Sequence, residues 1–300
     1  MRTVISKYDH LRQCRQDFEI SNTTPSVSDP AISVKCRKVM DITNDKKYPY
    51  SEVDIDGSEL RKLLDESMVH IYPRTFQASV TYISPFQALI YNWDNLVSAV
   101  NPYEGNGPER KDAREDLSIL LKYIRKIPEL EGYFKTREMH IANKTIELSN
   151  LWTLFALGTF VYAKSFFHDM QMFECQGTAA AGGGFYNSDT AQTLTLFCAA
   201  YDWDGTQFRR YTYKFIIKKF DGPRAVKTHP CYPVQYYQHD SGENDDSSLR
   251  KSLIERGRMF CELCTAKPDR LQCEYDGLLM AKSPGMARLM SVDDVCALQS

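Results

Sequence analysis

No stretch of this chain is apolar for long enough to cross a bilayer. The longest such run, Leu151 to Ala163, contains a glycine and falls short of the ~20 residues a spanning helix requires. The N-terminal MRTVISKYDH lacks the apolar core of a secretory signal. Neither sign of charge is in excess: 37 Lys and Arg against 39 Asp and Glu leave a net charge of −2. That balance provides no global attraction to nucleic acid or to an anionic membrane. Histidine is sparse, with six scattered residues and no HExxH or similar pattern. No glycine-rich segment is followed by the Lys-Ser/Thr of a phosphate loop. GTAAAGGG (Gly177 to Gly184) comes nearest, but Phe185-Tyr186 follows it.

The chain does have nine cysteines, an odd number without framework spacing. They read as reduced thiols of an intracellular protein, cytoplasmic or nuclear, with no membrane insertion. Cys261 and Cys264 form one CxxC, with Cys273 beyond it; Cys231 or His229 would complete a zinc set only by folding close. Cys261 and Cys264 also stand three apart in a helical segment, where buried thiols are ordinary core residues. The expectation is therefore no metal, no cofactor and no catalytic residue.

Periodicity divides the chain. Residues 1–54 are polar and without sustained period, and SNTTPSVSDP reads as part of a flexible N-terminal segment. Residues 55–140 read as a helical region. Leu60, Leu63, Leu64, Met68 and Ile71 recur at helical spacing. Ser84, Pro85 and Gln87 form the pattern of an N-cap, first helical residue and capping box, ahead of a stripe of Phe86, Leu89, Trp93, Leu96 and Val100. Leu117, Leu120, Leu121 and Ile124 make a third stripe, which Pro128 is expected to stop before a short helical turn over Leu130 to Met139. Residues 141–282 read as β-rich: strands at KTIELS, GTFVYAKSF and DMQMFECQG, a loop at TAAAGGGFYNSDTA, then TLTLFCAAY and QFRRYTYKFIIKKF. A helix over 247–265 precedes a last strand, RLQCEYDGLLMA, and 283–300 reads as a tail. The fold class is α+β: an N-terminal helical segment, then a small antiparallel sheet or partly open barrel with one helix inserted before its last strand.

Between the two clearest strands stands YDWDG. An Asp204-Gly205 loop predicts a hairpin with Trp203 opposite Thr206, pairing Leu194 with Phe215, Leu196 with Tyr213 and Cys198 with Tyr211 on one face. The other face then carries Tyr201, Trp203, Phe208 and Arg210 near the turn, residue types enriched at interaction hot spots. Asp202 and Asp204 do not make a calcium loop, because the twelfth position holds Tyr213, not a glutamate. The lysines and tyrosines of the second strand alternate between faces, which argues against a nucleic-acid-binding barrel, the alternative reading.

A wider resemblance joins these pieces. WDNLVSAV, DLSILLKYI, YFKTREMH, LSNLWTLFALGTFVYAK, CAAYDWDGTQFRRYTYKFIIKKFDG, HPCYPVQYY, LIERGRMFCELC and CEYDGLLM resemble, in the same order, a domain of unknown function that precedes the ATPase core in many fungal AAA+ proteins. The likeness covers residues from about 75 to 280. Ala156-Leu157-Gly158 departs from it, since the family often has proline before that glycine. The Walker-containing module that follows the domain in the family has no counterpart in these 300 residues. The resemblance therefore implies a non-enzymatic accessory domain that binds a protein partner or substrate for an AAA+ ATPase. The alternative it leaves is the front fragment or degenerate paralogue of such an ATPase, with ATP binding and hydrolysis in the missing part or in trans.

Overall fold

The computed structural model describes residues 2–9, 14–19, 34–40, 50–69, 80–101, 108–164, 171–181, 193–237, 246–266, 278–283 and 286–291. Its elements run β1 (Arg2–Asp9), β2 (Cys14–Glu19), β3 (Val34–Met40), β4 (Tyr50–Ile55), α1 (Ser58–Ser67), β5 (Val80–Ile83), α2 (Gln87–Tyr91), α3 (Trp93–Val100), α4 (Pro108–Arg125) and α5 (Pro128–Asn143). Next come β6 (Thr145–Ile146), a 3₁₀ turn (Leu148–Leu154), β7 (Phe160–Ala163), β8 (Gln171–Ala181), β9 (Thr193–Trp203), β10 (Phe208–Lys218) and β11 (Arg224–Ala225). The series ends with β12 (Cys231–Pro233), α6 (Asp246–Thr265), β13 (Leu278–Ser283) and β14 (Met286–Ser291). This is an α+β protein with open sheets.

The chain forms two compact units: Met1–Gly158 with Gly177–Thr195 and Lys218–Ala225, and Thr159–Gln176 with Leu196–Ile217 and Val226–Ser300. The chain passes between them more than once, so no single cut near residue 141 separates a helical from a β-rich part.

In the first unit a five-stranded sheet runs in the order β2-β1-β3-β4-β5, antiparallel except for the parallel pair β1–β3. Three of these strands, and all of β4 but its last residue, lie within 1–54, the stretch expected to be flexible; SNTTPSVSDP itself lies outside the described residues. β4 alternates Val53 and Ile55 with Glu52 and Asp54 over only a few residues, and its charged side is buried too. Arg37 from β3 reaches both carboxylates, at 2.5 Å from Asp54 and 3.8 Å from Glu52, so the buried charges are paired.

Most of the helical stripes are seated as expected: Leu60, Leu63, Leu64, Leu117, Leu120, Leu121 and Ile124 are buried, and α1 packs on α3 and α4. α1 ends at Ser67, however, so Met68 is half-buried just past the helix, and Ile71 lies outside the described residues. The capping box at Ser84 is overturned. The Ser84 N–H bonds to the Ser51 carbonyl at 2.8 Å, which ties Ser84 to the sheet, and the Ser84–Pro85 peptide is cis. Phe86 turns the chain at φ 55°, and α2 starts only at Gln87. Helix α3 then follows at Asn92, whose buried amide donates to the Ala88 carbonyl and accepts from the Val69 N–H, each at 2.8 Å. Pro128, expected to end a helix, begins one: it stands at the first turn of α5, where its missing N–H costs nothing. KTIELS contributes only the two residues of β6, which pair with β11. The 3₁₀ turn after it inserts Leu151 and Trp152 into the core, with Phe155 following.

The second unit is built on the sheet β10-β9-β8-β7-β12. One face buries Val161, Phe173, Cys175, Leu196, Cys198 and Cys231, with the Phe173 ring edge-on to Tyr213 and Phe215. The other face receives α6: Leu249 joins Tyr162 and Val234 in a small core, with Leu253 packed against it. β8 extends through Ala181, into the segment expected to be loop, and the rest of that segment lies outside the described residues. The last strand begins at Leu278, with RLQCEYDG outside the described residues, and β14 forms a hairpin with it inside the expected tail.

Candidate interaction site at the hairpin tip

The hairpin forms, with a changed register at its turn. The Asp204 N–H bonds to the Gln207 carbonyl at 3.1 Å, so Gly205 and Thr206, not Asp204 and Gly205, sit at the apex. Gly205 takes φ 100°, a conformation that glycine alone adopts at little cost. Trp203 accordingly meets Phe208, their ring centroids 5.0 Å apart, and the Lys214 ammonium lies 5.7 Å above the Phe197 ring. The change moves the pairing by two residues, so every side chain keeps its expected face.

Asp204 explains the change. Its Oδ1 accepts from the Thr206 N–H at 2.8 Å, the Thr206 hydroxyl at 2.7 Å and the Gln207 N–H at 2.8 Å. Those bonds, the Thr206 hydroxyl foremost, hold the carboxyl below the usual aspartate range, and Arg209, paired with it, adds to the effect. Asp202 turns its carboxylate to the Trp203 N–H at 2.8 Å. Both aspartates thus serve the turn. Because the Asp204 pKa is depressed on folding, its contribution is present above the unfolded-state value near 4 and lost as pH falls toward the folded one. Asp204→Ala is expected to speed amide exchange at Thr206 and Gln207 near neutral pH, with the rest of the sheet unchanged. Wild type taken to about pH 2 should approach the variant. Equal exchange in the two proteins at pH 7 would contradict this role.

The four residues singled out from the sequence lie near one another on the α6 side of the sheet. Tyr201 is 67% exposed, Trp203 and Phe208 are half-buried, and the Arg210 guanidinium lies 3.9 Å from Glu174 of β8. The helix expected over 247–265 forms as α6, but the sequence reading did not place it against the hairpin tip. Phe260 packs edge-on to Phe208, centroids 5.9 Å apart, and remains 40% exposed. Met259 and Leu263, one helical turn apart, extend the exposed apolar surface. The signal was available: Leu249, Leu253 and Phe260 share one stripe of the helix, and a stripe that begins buried and ends exposed runs off the edge of its support.

Two other groups are less suited to chemistry. Around β3 and β4, Ser51 donates to Glu129 at 3.3 Å, and burial pushes both the Cys36 thiol and the Tyr123 phenol up to about 12. Neither ionises near neutral pH, so neither is a ready nucleophile. In the second unit the Cys198 thiol, hydrogen-bonded to Cys175 and buried, is raised well above its ordinary value, and burial raises Cys231 to about 12. Cys261 is exposed on α6, Cys264 is half-buried, and Cys273 lies outside the described residues. Among the described residues no three His, Cys, Asp or Glu side chains are arranged to hold a metal ion, and no helix is long and apolar enough to cross a membrane. The Gly177–Ala181 part of the glycine-rich stretch is β-strand, unlike a phosphate-binding loop at a helix N-terminus.

No curated protein and no solved structure matches this chain. A family model does match, over about a third of the chain, from within α5 to the segment following β12. The matched residues include the 3₁₀ turn with Trp152 and the whole β9–β10 hairpin, but not α6. Residues 136–238 thus match a family model described as a domain of unknown function, DUF7025.

Proposed function

We propose that this protein is a non-enzymatic accessory module that binds a polypeptide at the hairpin tip. The observation that carries the reading is the aromatic series Trp203–Phe208–Phe260, half-covered by α6 and flanked by exposed Tyr201, Met259 and Leu263. Aromatic side chains held rigid at a partly open surface are what an interface anchor requires. The resemblance to the domain that precedes AAA+ cores in fungal proteins supports an AAA+ ATPase as the machine it serves, in the same polypeptide or in trans. Free thiols support a place in the cytoplasm or nucleus. The test is co-purification of an AAA+ partner with the full chain and with Trp203→Ala/Phe208→Ala. Loss of two anchor rings is expected to weaken capture by at least about tenfold while circular dichroism stays unchanged. Undiminished capture by a folded variant would remove the tip from the interface.

A further inference from the structure

The aromatic patch accounts for one face of the hairpin and leaves its edge unexplained. β10 ends the order β10-β9-β8-β7-β12, and among the described residues β9 is its one sheet neighbour. The strand is 11 residues long and contains no proline. The bond from the Asp204 N–H to the Gln207 carbonyl turns the Gln207 main chain toward β9. Alternation from there directs the N–H and C=O groups of Arg210, Thr212, Lys214 and Ile216 outward, away from β9. A long edge of this kind is a template for another strand.

The charges on the edge select what can occupy it. From Phe208 to Ile217 the strand carries Arg209, Arg210 and Lys214 and no carboxylate. Arg209 is held by Asp204 at the turn. Arg210 and Lys214 are exposed on the α6 side, along with Ile216, which is 57% exposed; Tyr211 is exposed on the opposite side. Two copies of β10 laid edge to edge would bring cations against cations, which disfavours self-pairing. A strand with carboxylates opposite Lys214 and Arg210, the latter also 3.9 Å from Glu174 of β8, meets the charge on that side, and apolar residues alternating with those carboxylates fall on the side of exposed Tyr211. Nucleic acid has no N–H and C=O ladder to complete. Tyr211 and Tyr213, which would stack on bases, point to the face opposite Arg210 and Lys214, which would hold phosphate.

We propose that the outer edge of β10 takes up an extended, acidic polypeptide segment, which adds to the sheet as a further strand. The inference rests on the reading that this protein binds polypeptide, and identifies the class of segment bound.

The experiment is fluorescence anisotropy on the full chain with three labelled probes: a nine-residue peptide of alternating Glu and Val, the matching Lys and Val peptide, and a single-stranded oligothymidine. Wild type is expected to bind the Glu/Val peptide and neither of the others. Lys214→Glu should weaken that binding by about tenfold. Thr212→Pro, which removes an outward N–H, should abolish it; Lys214→Glu, at an exposed position, keeps the test valid if the proline variant misfolds. Failure of wild type to bind the Glu/Val peptide overturns the proposal, as does equal binding of the Lys/Val peptide or unchanged affinity in a folded Lys214→Glu variant. Binding of oligothymidine instead moves the protein to the nucleic-acid class. The tip and the edge fail separately. Peptide binding by wild type with undiminished partner capture by Trp203→Ala/Phe208→Ala rejects the tip alone. The opposite pair of results rejects the edge alone.

Discussion

Arg37→Ala is expected to destabilise the protein by about 3–5 kcal/mol, enough to leave much of it unfolded at 37 °C. The Arg37 guanidinium stands 2.5 Å from Asp54 and 3.8 Å from Glu52, whose side chains are only 10% and 5% exposed. Asp54 also accepts from the Thr81 hydroxyl at 2.7 Å. Removing the cation leaves two carboxylates buried close together on one strand without the charge that offsets their desolvation. The loss of a partner is what costs so much; the intact group need not be better than an apolar one. The triple variant Arg37→Met/Glu52→Gln/Asp54→Asn should therefore recover much of the deficit, because it buries no charge. Urea unfolding of the three proteins measures both effects. An Arg37→Ala loss below about 1 kcal/mol would show that water reaches these carboxylates and that they belong to the surface.

Trp152→Ala should cost a similar amount, about 3–5 kcal/mol, for a different reason. Its side chain is 1% exposed in a 3₁₀ turn, and Tyr91 meets it edge-on with centroids 5.6 Å apart. The Tyr91 hydroxyl also donates to the Trp152 carbonyl at 3.2 Å. Alanine keeps that main-chain acceptor but opens a cavity the size of an indole, against a turn that is too short to collapse inward. Trp152→Phe, which refills part of the volume, should lose less than half as much. Thermal unfolding followed by circular dichroism is expected to shift down by about 10 °C for alanine. A shift of a degree or two would mean that the indole is replaceable, and that the LWTLF segment owes its presence to something other than packing.

These residues show what could be read from the chain and what could not. The stripes of α1 and α4 were legible because helix period and burial agree there: each apolar residue at 3.6 spacing faces the core. β9 and β10 were legible because Leu194, Leu196 and Cys198 alternate with more polar neighbours and the turn is marked by Asp-Gly. β4 was harder to read: Val53 and Ile55 alternate with Glu52 and Asp54 over a short run, and nothing local says that the charged side is buried too, where Arg37 and Thr81 from neighbouring strands meet it. Ser84 has every local feature of an N-cap, yet one bond to Ser51, brought beside it by the sheet, ties it to a strand end. The hairpin register moved for a local reason that composition cannot rank: the Asp204 carboxylate gathers three donors only when Gly205 and Thr206 form the apex.

The candidate site divides in the same way. The sequence determined which residues share the outer face of the hairpin, because the period of a strand is two and a shift of two residues leaves every face unchanged. That placed Tyr201, Trp203, Phe208 and Arg210 near one another before any fold was known. Whether that face is covered was decided by tertiary structure alone. The stripe of α6 reads as apolar from Leu249 to Phe260, and the pattern does not say where its support ends. The sheet supports the helix fully at Leu249 and only partly at Phe260, and there the aromatic surface opens to solvent. That β10 stands at the edge of its sheet among the described residues is likewise a property of strand order, which depends on contacts between residues far apart in the chain.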